Sequence, residues 1–417
     1  NGQGANLLTI DASGSDPTPT KKNGDGTRAL EITANSEISG LTITGGDTNT
    51  RGGGIRVEGK ITLVDVVITD NATSGEGIEG AGGGIFVFSL DETSQIQNSV
   101  IGQNSSIFGG GVFAAGKLTV TNSVVSANKA NRTGGGIEVF ANSTLELVRS
   151  TVSGNTAGSG GGGIYSTGID QPLGFANVTA TDCTISFNSA AFGGGIYTKV
   201  SHLIMSGTTI SGNQATLSGG GIHNRGDVFL VPTYLIQSST ITGNVADSDF
   251  DGFGTGGGGV LFRCTLTNSI IAGNFLGTVR NDVYGGIYAG FSLIGVDTGA
   301  TINSSGGNLI GTAGSPIAPR LAALASNGGP TLTHALLPGS PALDAGDPAA
   351  AAGMGGVPEF DQRGMPWSRV VGGRIDMGAF ESQANPLAGD YNFNGVVDAA
   401  DYTVWRDTLG STNDLRA

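Results

Sequence analysis

The sequence predicts an all-β chain wound into a right-handed parallel β-helix, with three short strands and about 29 residues in each coil. The first observation is a glycine run ending in Ile or Val, which recurs nine times in 417 residues. The runs end at Ile55, Ile85, Val112, Ile137, Ile164, Ile196, Ile222, Val260 and Ile287, at a mean spacing of 29 residues. Because one unit returns at this short period, each unit is expected to form one coil.

An asparagine series runs in phase with the glycine runs and is the second observation. Its members are Asn71, Asn104, Asn128, Asn155, Asn188, Asn213, Asn244 and Asn274. Ile or Val lies three residues before each one, as at Ile101, Val125, Val152 and Ile185. We expect these aliphatic side chains to point inward and stack on one another. Each Asn is expected at a corner, with a left-handed backbone and an amide that pairs with the Asn above and below.

The segments between these landmarks are the third observation. Stretches such as "GGGIEVF" and "STLELVRS" alternate with period two, are rich in Thr, Val and Ile, and are bounded by Gly, Asn and Ser. The glycine runs mark another corner, where positive φ or close approach of neighbouring coils excludes a Cβ atom. A propeller is the alternative architecture, but it needs four strands and about 40 residues per blade.

Composition excludes several classes of protein. The 75 glycines do not fall at every third position and prolines number only 13, which excludes collagen. A net charge of −14 repels phosphate, so no nucleic-acid partner is expected. No apolar run approaches the ~18 residues of a membrane span. The sequence starts without an apolar leader, so any signal peptide is expected to precede it. Cys183 and Cys264 fall on distant coils and are expected to be free.

The glycine-rich repeat, together with the corner "ISFN" that ends at Asn188, resembles the polymorphic outer-membrane-protein repeat of bacterial surface β-helices. The resemblance covers about residues 40–290 of the β-helix predicted over 1–290. It implies a secreted protein on the outside of a bacterial cell.

The repeat fades after residue 290, and residues 291–382 are predicted to cap the β-helix, since an open end exposes unpaired strands. The segments "SNGGPTLTHALLPGSPALDAGDP" and "DQRGMPWSRVVGGRIDMGAFE" resemble the choice-of-anchor type Q region of bacterial surface proteins. We expect Arg363 to pair with Asp361 or Asp376 and hold the fold-back. Residues 383–389 are expected to be a linker.

Residues 390–417 contain a predicted calcium loop. Oxygen-bearing residues fall at loop positions 1, 3, 5, 7, 9 and 12, with a glycine at position 6. These residues are Asp390, Asn392, Asn394, Val396 (through its backbone carbonyl), Asp398 and Asp401. A helix is expected to follow from Ala399. The segment resembles one half of a dockerin type I module, which implies a calcium cofactor and a cohesin-like or other cell-envelope partner.

A second acidic stretch lies in the longest coil, where "DSDFDGFG" places Asp247, Asp249 and Asp251 at alternate positions. It resembles the first part of a calcium loop, but no carboxylate follows at the twelfth position. The alternative interpretation is a solvated acidic insertion.

A catalytic site finds little support in the pattern. Glycosidases need two carboxylates roughly 5–9.5 Å apart. In the stack six residues before the corner asparagines, Asp65 and Asp182 are four coils apart, about 19 Å. Arg149 and Asp182 are neighbours in this stack and are expected to form an ion pair. The three histidines, at 202, 223 and 334, share no motif.

The position after each glycine run is often aromatic. An outward-facing row is predicted that includes Phe86, Phe113, Tyr165, Tyr197 and Tyr288. A sugar can lie on such a row, whereas rings that stack on each other or are covered offer no ligand surface. The sequence thus favours a non-enzymatic surface protein for adhesion or scaffolding, with filament formation by end-to-end stacking as one form. The alternative is a β-helix that binds or degrades a polysaccharide.

Overall fold

The computed structural model describes residues 8–169, 174–225 and 233–383, together with Ala399, Tyr402 and Arg406. Strands make up 47% of the structure and helix 3%. The strands pair in parallel and form a β-solenoid of about nine turns, with about 27 residues per turn. The predicted fold class is confirmed, and a propeller is excluded because its strands pair antiparallel within each blade.

Three sheets run along the solenoid. Sheet 1 contains Thr9–Asp11, Thr42–Thr44, Val67–Thr69, Val100–Gly102, Val124–Ser126, Thr151–Ser153, Thr184–Ser186, Thr209–Ser211, Thr240–Thr242, Ile270–Ile271, Leu293–Ile294 and Leu309–Ile310. Sheet 2 contains Asp47–Thr48, Ala72–Thr73, Ser105–Phe108, Lys129–Thr133, Thr156–Ala157, Ser189–Phe192, Gln214–Ser218, Val245–Ala246, Phe275–Leu276 and Val279–Arg280. The last two of these form an antiparallel hairpin that ends sheet 2.

Sheet 3 follows each glycine run and generally receives two strands from each turn. It contains Leu30–Ile32, Ser36–Ser39, Ile55–Glu58, Ile61–Val64, Ile85–Gln97, Val112–Thr121, Ile137–Val139, Thr144–Val148, Ile164–Thr167, Ala176–Thr181, Ile196–Lys199, Ser201–Ser206, Ile222–Arg225, Tyr234–Gln237, Val260–Leu261, Cys264–Thr267, Val283–Gly290 and Ala300–Gly306. Two short 3-10 helices span Ser13–Ser15 and Gly77–Gly80.

The aliphatic ladder forms as the sequence predicts. Ile101, Val125, Val152 and Ile185 are Cα partners in successive turns of sheet 1, and all four are fully buried. They belong to one continuous core that runs the length of the solenoid. Because parallel pairing places like residues above like, each turn repeats the packing of its neighbour. Cys183 and Cys264 are buried in this core as free thiols, as expected.

The asparagine ladder also forms, through more contacts than the sequence indicates. Asn155 Oδ1 accepts hydrogen bonds from the backbone N of Asn128 (2.9 Å) and from its Nδ2 (3.0 Å). Asn155 Nδ2 donates to Asn188 Oδ1 and to the Val125 carbonyl, both at 2.9 Å. Each Asn therefore joins three turns. The ladder ends at Asp282, whose Oδ1 takes the place of the next amide oxygen.

One detail of the predicted corner is wrong. The ladder asparagines do not have positive φ; the residue before each one does, as at Asp70 (φ 57°) and Ala127 (φ 55°). That residue supplies the left-handed turn at the corner between sheet 1 and sheet 2. The Asn can then keep an ordinary backbone and direct its amide into the wall between turns, where backbone groups need partners.

The glycine corner follows the predicted reasons. Gly82 has φ of 74°, and a Cβ on Gly83 would lie 2.4 Å from the Ser105 carbonyl oxygen. At Gly84 a Cβ would lie 2.6 Å from the Gly111 carbonyl oxygen. The first glycine supplies the left-handed conformation and the next two allow neighbouring turns to approach closely.

The repeat changes phase near its end. Val260 pairs with Val283, and Ile287 pairs instead with Cys264. The ninth glycine run, which ends at Ile287, is therefore not equivalent to the other eight. The parallel sheets also continue past residue 290, to the pair of strands Leu293–Ile294 and Leu309–Ile310.

The C-terminal segment packs along the flank of the solenoid, on the outer face of sheet 1. Thr331 Oγ1 donates to the Asp182 carbonyl (3.0 Å), and Ala379 N donates to Thr240 Oγ1 (2.9 Å). Gln362 is fully buried between the two layers. The sequence predicts a cap over the last coil, whereas these contacts extend back over several turns.

Buried charge pairs hold this segment together. Arg363 pairs with Asp361 at 2.6 Å and its guanidinium lies over the Phe380 ring at 3.8 Å. Of the two partners predicted for Arg363, the structure therefore selects Asp361. A second buried pair, which the sequence does not predict, joins Arg369 to Glu381 at 3.4 Å.

Candidate functional site

The predicted aromatic row exists for four of its five members. Phe86 and Phe113 are Cα partners with stacked rings 5.4 Å apart. Tyr165 and Tyr197 are likewise partners, with stacked rings 5.0 Å apart. Tyr288 does not belong to the row. Because the repeat changes phase, the Cα partner of Leu261 is Tyr284, and Tyr288 pairs with Thr265.

These rings mostly cover one another. Phe86 and Phe113 are only 2% and 1% exposed. Tyr197 is buried and Tyr165 is half-buried. A sugar stacked flat on the row, as the sequence suggests, therefore finds little open ring face at the two phenylalanines.

The Phe86 and Phe113 rings also line an open cleft of about 460 Å³. Its lining is five phenylalanines with Ile78, Ala115, Arg51 and Glu138; the phenylalanines are Phe86, Phe88, Phe108, Phe113 and Phe140. This volume lies within the ~300–1,000 Å³ range of small-molecule sites. We call this site the phenylalanine cleft.

A small residue between two large ones opens the cleft. Ala115 is the Cα partner of Phe88, and Phe140 directly follows Val139, the partner of Ala114 in the next turn. The three side chains thus form one outer row of sheet 3, in which Ala115 leaves a gap. Phe88 and Phe140 flank the gap and are 47% and 41% exposed.

Two irregularities in the repeat lie near the cleft, and the first of them lines it through Gly77 and Ile78. The 3-10 helix Gly77–Gly80 precedes the glycine run that ends at Ile85. After Ser89 the pairing with the next turn shifts until Thr93, which leaves residues 90–92 as an outward bulge. In solenoids such insertions collect on one face, which is often the binding face.

Glu138 is the polar group of the cleft with the most unusual environment. It takes the place of an aromatic ring in the row, between Phe113 and Tyr165. Its Oε2 accepts a hydrogen bond of 2.7 Å from Thr133 Oγ1. Burial among apolar side chains raises the pKa of Glu138 to about 8, so the carboxyl is mainly protonated at neutral pH.

The permanent cation of the cleft is already compensated. Arg51 pairs with Glu79 at 2.8 Å, and its guanidinium lies over the Phe86 ring at 5.3 Å. The cleft therefore presents apolar rings, one neutral carboxyl and the buried Nε of Arg51, which has no hydrogen-bond partner within the described residues. A second, more polar cavity of about 530 Å³ adjoins it, shares Arg51, Phe86 and Phe88 with it, and adds Lys60 and Asp91.

The three aspartates of the predicted second calcium site lie close together in the structure. One carboxylate oxygen from each of Asp247, Asp249 and Asp251 lies within 4.8 Å of the others. Asp247 is buried and its Oδ1 accepts from Gly252 N at 3.2 Å. The sequence analysis misses a second such cluster, formed by Asp16, Asp25 and Asp47. Its members are far apart in sequence, and only the first turns of the solenoid bring them together.

The predicted calcium loop of the tail lies outside the described residues. This applies to Asp390, Asn392, Asn394, Val396, Asp398 and Asp401. The described residues of the tail, Ala399, Tyr402 and Arg406, are helical, as expected for the helix that follows the loop.

The candidate catalytic groups are dispersed. Arg149 Nε donates to Asn122 Oδ1 at 3.1 Å, and the predicted ion pair with Asp182 does not form. Burial raises the pKa of Asp182 to about 7, and its Oδ1 is buried without a hydrogen-bond partner. His334 Nε2 bonds Ser211 Oγ at 2.9 Å beneath the C-terminal segment, far along the chain from the cleft.

Within the described residues, no helix is long and apolar enough to cross a membrane. Comparisons of the chain with protein-family models, with curated proteins and with solved structures return no match. The function of the chain must therefore be inferred from the geometry of the site.

Proposed function

We propose that this chain is a non-enzymatic β-helix scaffold of a bacterial cell surface, where it acts in adhesion. Its resemblance to surface β-helix repeats over residues 40–290 supports a secreted, extracellular location. The observation that carries the proposal is the phenylalanine cleft, an exposed apolar site lined in part by the 3-10 helix Gly77–Gly80 on a regular frame. Apolar surface of this kind on a soluble protein marks interaction sites.

Rigidity is the second support. Each turn is tied to the next by strand pairing, by the aliphatic ladder and by the asparagine ladder. A site on such a frame loses little conformational freedom when it binds, which favours affinity. The C-terminal segment adds a second layer on the flank and leaves the cleft open.

The proposal is tested by cosedimentation of the labelled chain with purified bacterial cell envelopes. We expect the native chain to sediment with the envelopes and Ala115→Phe, which fills the cleft, to remain largely in solution. Phe253→Ala, at an exposed position elsewhere, should sediment like the native chain. Absence of sedimentation by the native chain, or equal sedimentation of the filled variant, would overturn this role for the cleft.

Polysaccharide binding or degradation is the second candidate function. The half-buried Tyr165 ring, stacked on Tyr197 at 5.0 Å, offers a face of the kind that sugars occupy. Release of reducing or unsaturated ends from acidic polysaccharides, abolished by Asp182→Asn, would support the enzyme. Retention of polysaccharide without such release, abolished by Tyr165→Ala, would support binding alone.

Calcium is a proposed cofactor at two places. The carboxylates of Asp247, Asp249 and Asp251 are close enough to share one ion. The tail loop, with its dockerin-like ligand spacing, is proposed to dock on a cohesin-like or other envelope partner. Sensitised terbium luminescence should fall in Asp249→Asn and, independently, in Asp390→Ala; no luminescence in the native chain would remove calcium from the proposal.

End-to-end association is the last element of the proposal. Strand Ala300–Gly306 pairs on one side only within the described part of the chain, with Val283–Gly290. An unpaired strand edge is a template for another chain. Rods longer than one subunit in negative-stain images would support a filament, and single particles at all concentrations would contradict it.

A further inference from the structure

We propose that the phenylalanine cleft is a binding site for a neutral, flat, mostly apolar small molecule that carries one hydrogen-bond-accepting oxygen. This inference rests on the proposed binding role of the same cleft and adds the class of ligand. Three features of the cleft indicate this class of ligand: the shape of the gap at Ala115, the chemistry of the walls and the position of Glu138.

The shape of the gap favours a flat molecule. The Phe86 and Phe113 rings stack on each other at an interplanar angle of 9° and are covered, so the exposed rings beside the gap are those of Phe88 and Phe140. Phe88 and Phe140 flank Ala115, which lacks a ring. An aromatic ligand at Ala115 would continue a row that is filled by side chains in the neighbouring turns. Stacked or edge-on aromatic pairs are stabilised beyond the area they bury.

The chemistry of the walls favours a neutral body. Arg51 is paired with Glu79, so its charge is already compensated. Glu138 is held uncharged by its surroundings, as described above. A charged group on a ligand would lose hydration here without gaining an uncompensated ionic partner.

Glu138 supplies the directional contact. Its carboxyl lines the cleft, is 4% exposed, and accepts hydrogen bonds from Thr133 Oγ1 and from the backbone N–H of Gly109. A protonated carboxyl can donate one hydrogen bond to a carbonyl or ether oxygen of the ligand. Ligand sites commonly combine apolar walls with a few such polar groups, which set orientation and specificity.

The test uses Prodan, a neutral naphthalene dye with one ketone oxygen, whose emission shifts to the blue in apolar surroundings. We expect saturable binding to the native chain at one site. Ala115→Phe occupies the gap and should weaken binding at least about tenfold, as should Phe140→Ala, which removes a wall. Both substituted positions lie on the outside of sheet 3, and unchanged unfolding temperatures would show that the variants are folded.

Glu138 is tested separately. Glu138→Gln retains a hydrogen-bond donor and should bind Prodan like the native chain. Glu138→Leu removes the donor, and loss of one hydrogen bond should weaken binding about fivefold. Glu146→Leu, at an exposed position on a neighbouring strand, is the matched control and should have no effect. Naphthalene, which has no acceptor oxygen, should bind Glu138→Leu and the native chain equally.

Two results would overturn the inference: Prodan binding that is unaffected by Ala115→Phe, or several weak sites with no preferred position. Equal binding to the native chain and to Glu138→Leu would overturn the role of the carboxyl. The proposed function fails independently. If Prodan binds but the chain does not sediment with envelopes, the proposed scaffold function is wrong. If Ala115→Phe reduces sedimentation but not Prodan binding, the proposed class of ligand is wrong.

Discussion

Replacement of Asn155 by alanine tests the asparagine ladder, which joins every turn of the solenoid to its neighbours. Asn155 is fully buried, and its side chain takes part in four hydrogen bonds of 2.9–3.0 Å. Alanine would leave two donors on Asn128 and the acceptors of Val125 and Asn188 without these partners. Each buried group left unpaired costs about 1–3 kcal/mol. Because Asn188 Oδ1 keeps the hydrogen bond from the backbone N of residue 155, the cost falls mainly on the two Asn128 donors, and a total of about 2–6 kcal/mol is expected.

The assay is urea unfolding of the full chain, followed by circular dichroism. Asn131→Ala is the matched control, because Asn131 lies on an exposed strand position one turn away. Its effect should be below about 0.5 kcal/mol. A loss at Asn155 no larger than at Asn131 would refute a structural role for the ladder. A change in the slope with urea, without a change in midpoint, would point to altered cooperativity between turns.

Three further outcomes are expected. The folded-state pKa of Glu138, about 8, is above its unfolded value, so its stabilising contribution is complete below about pH 4.5 and is lost as the pH rises through 8. Glu138→Gln should therefore have a higher melting temperature than the native chain at pH 9 and a similar one at pH 4. Arg369→Ala leaves Glu381 buried without its partner, which should cost about 3–5 kcal/mol and speed proteolysis of the C-terminal segment; equal proteolysis rates would contradict this. Gly83→Ala places a Cβ 2.4 Å from a backbone oxygen of the next turn, so a clear drop in melting temperature is expected, and an unchanged value would show that the turns are not packed as described.

The fold can be predicted because the same residue types recur at equivalent positions of each turn, and these positions set the register of strand pairing. Aliphatic residues such as Ile101 and Val125 recur three positions before each ladder asparagine. Parallel pairing of successive turns then places these residues one above the other. The prediction failed at Ile287, where a glycine pair precedes an aliphatic residue by coincidence. There the turns shorten after Val260 and the true partner is Val283.

The left-handed residue of the corner was predicted at the wrong position for a physical reason. Asn often adopts positive φ, but in this chain its amide is needed inside the wall. The preceding position takes the strained conformation with residues as different as Ala127 and Phe187. Side-chain preference alone therefore misleads where a buried hydrogen-bond network decides.

The candidate site was predictable only in part. The aromatic row follows from the repeat, as the stacking of Phe86 on Phe113 shows. The cleft does not, because it depends on Ala115 between two phenylalanines from other turns and on the irregular 3-10 helix Gly77–Gly80 beside them. In the sequence Glu138 stands out as a carboxylate at a position that is aromatic in neighbouring turns. Its burial, however, follows only from the packing of the folded chain.

The C-terminal segment illustrates a different limit. Its contacts with the flank join residues more than 130 positions apart, such as Ala379 and Thr240. No periodic pattern encodes such pairs. The sequence identified Arg363 as the residue that holds the fold-back, and the structure selects Asp361 as its partner.

Paired cysteines measure the parallel stacking most directly. Lys129 and Thr156 are Cα partners in adjacent turns and both are exposed, so a Lys129→Cys, Thr156→Cys pair should form a disulfide under mild oxidation. Ser189 is one turn further, the partner of Thr156. A Lys129→Cys, Ser189→Cys pair is therefore about 9–10 Å apart and should remain reduced. Ready cross-linking of the second pair and not the first would contradict in-register parallel turns.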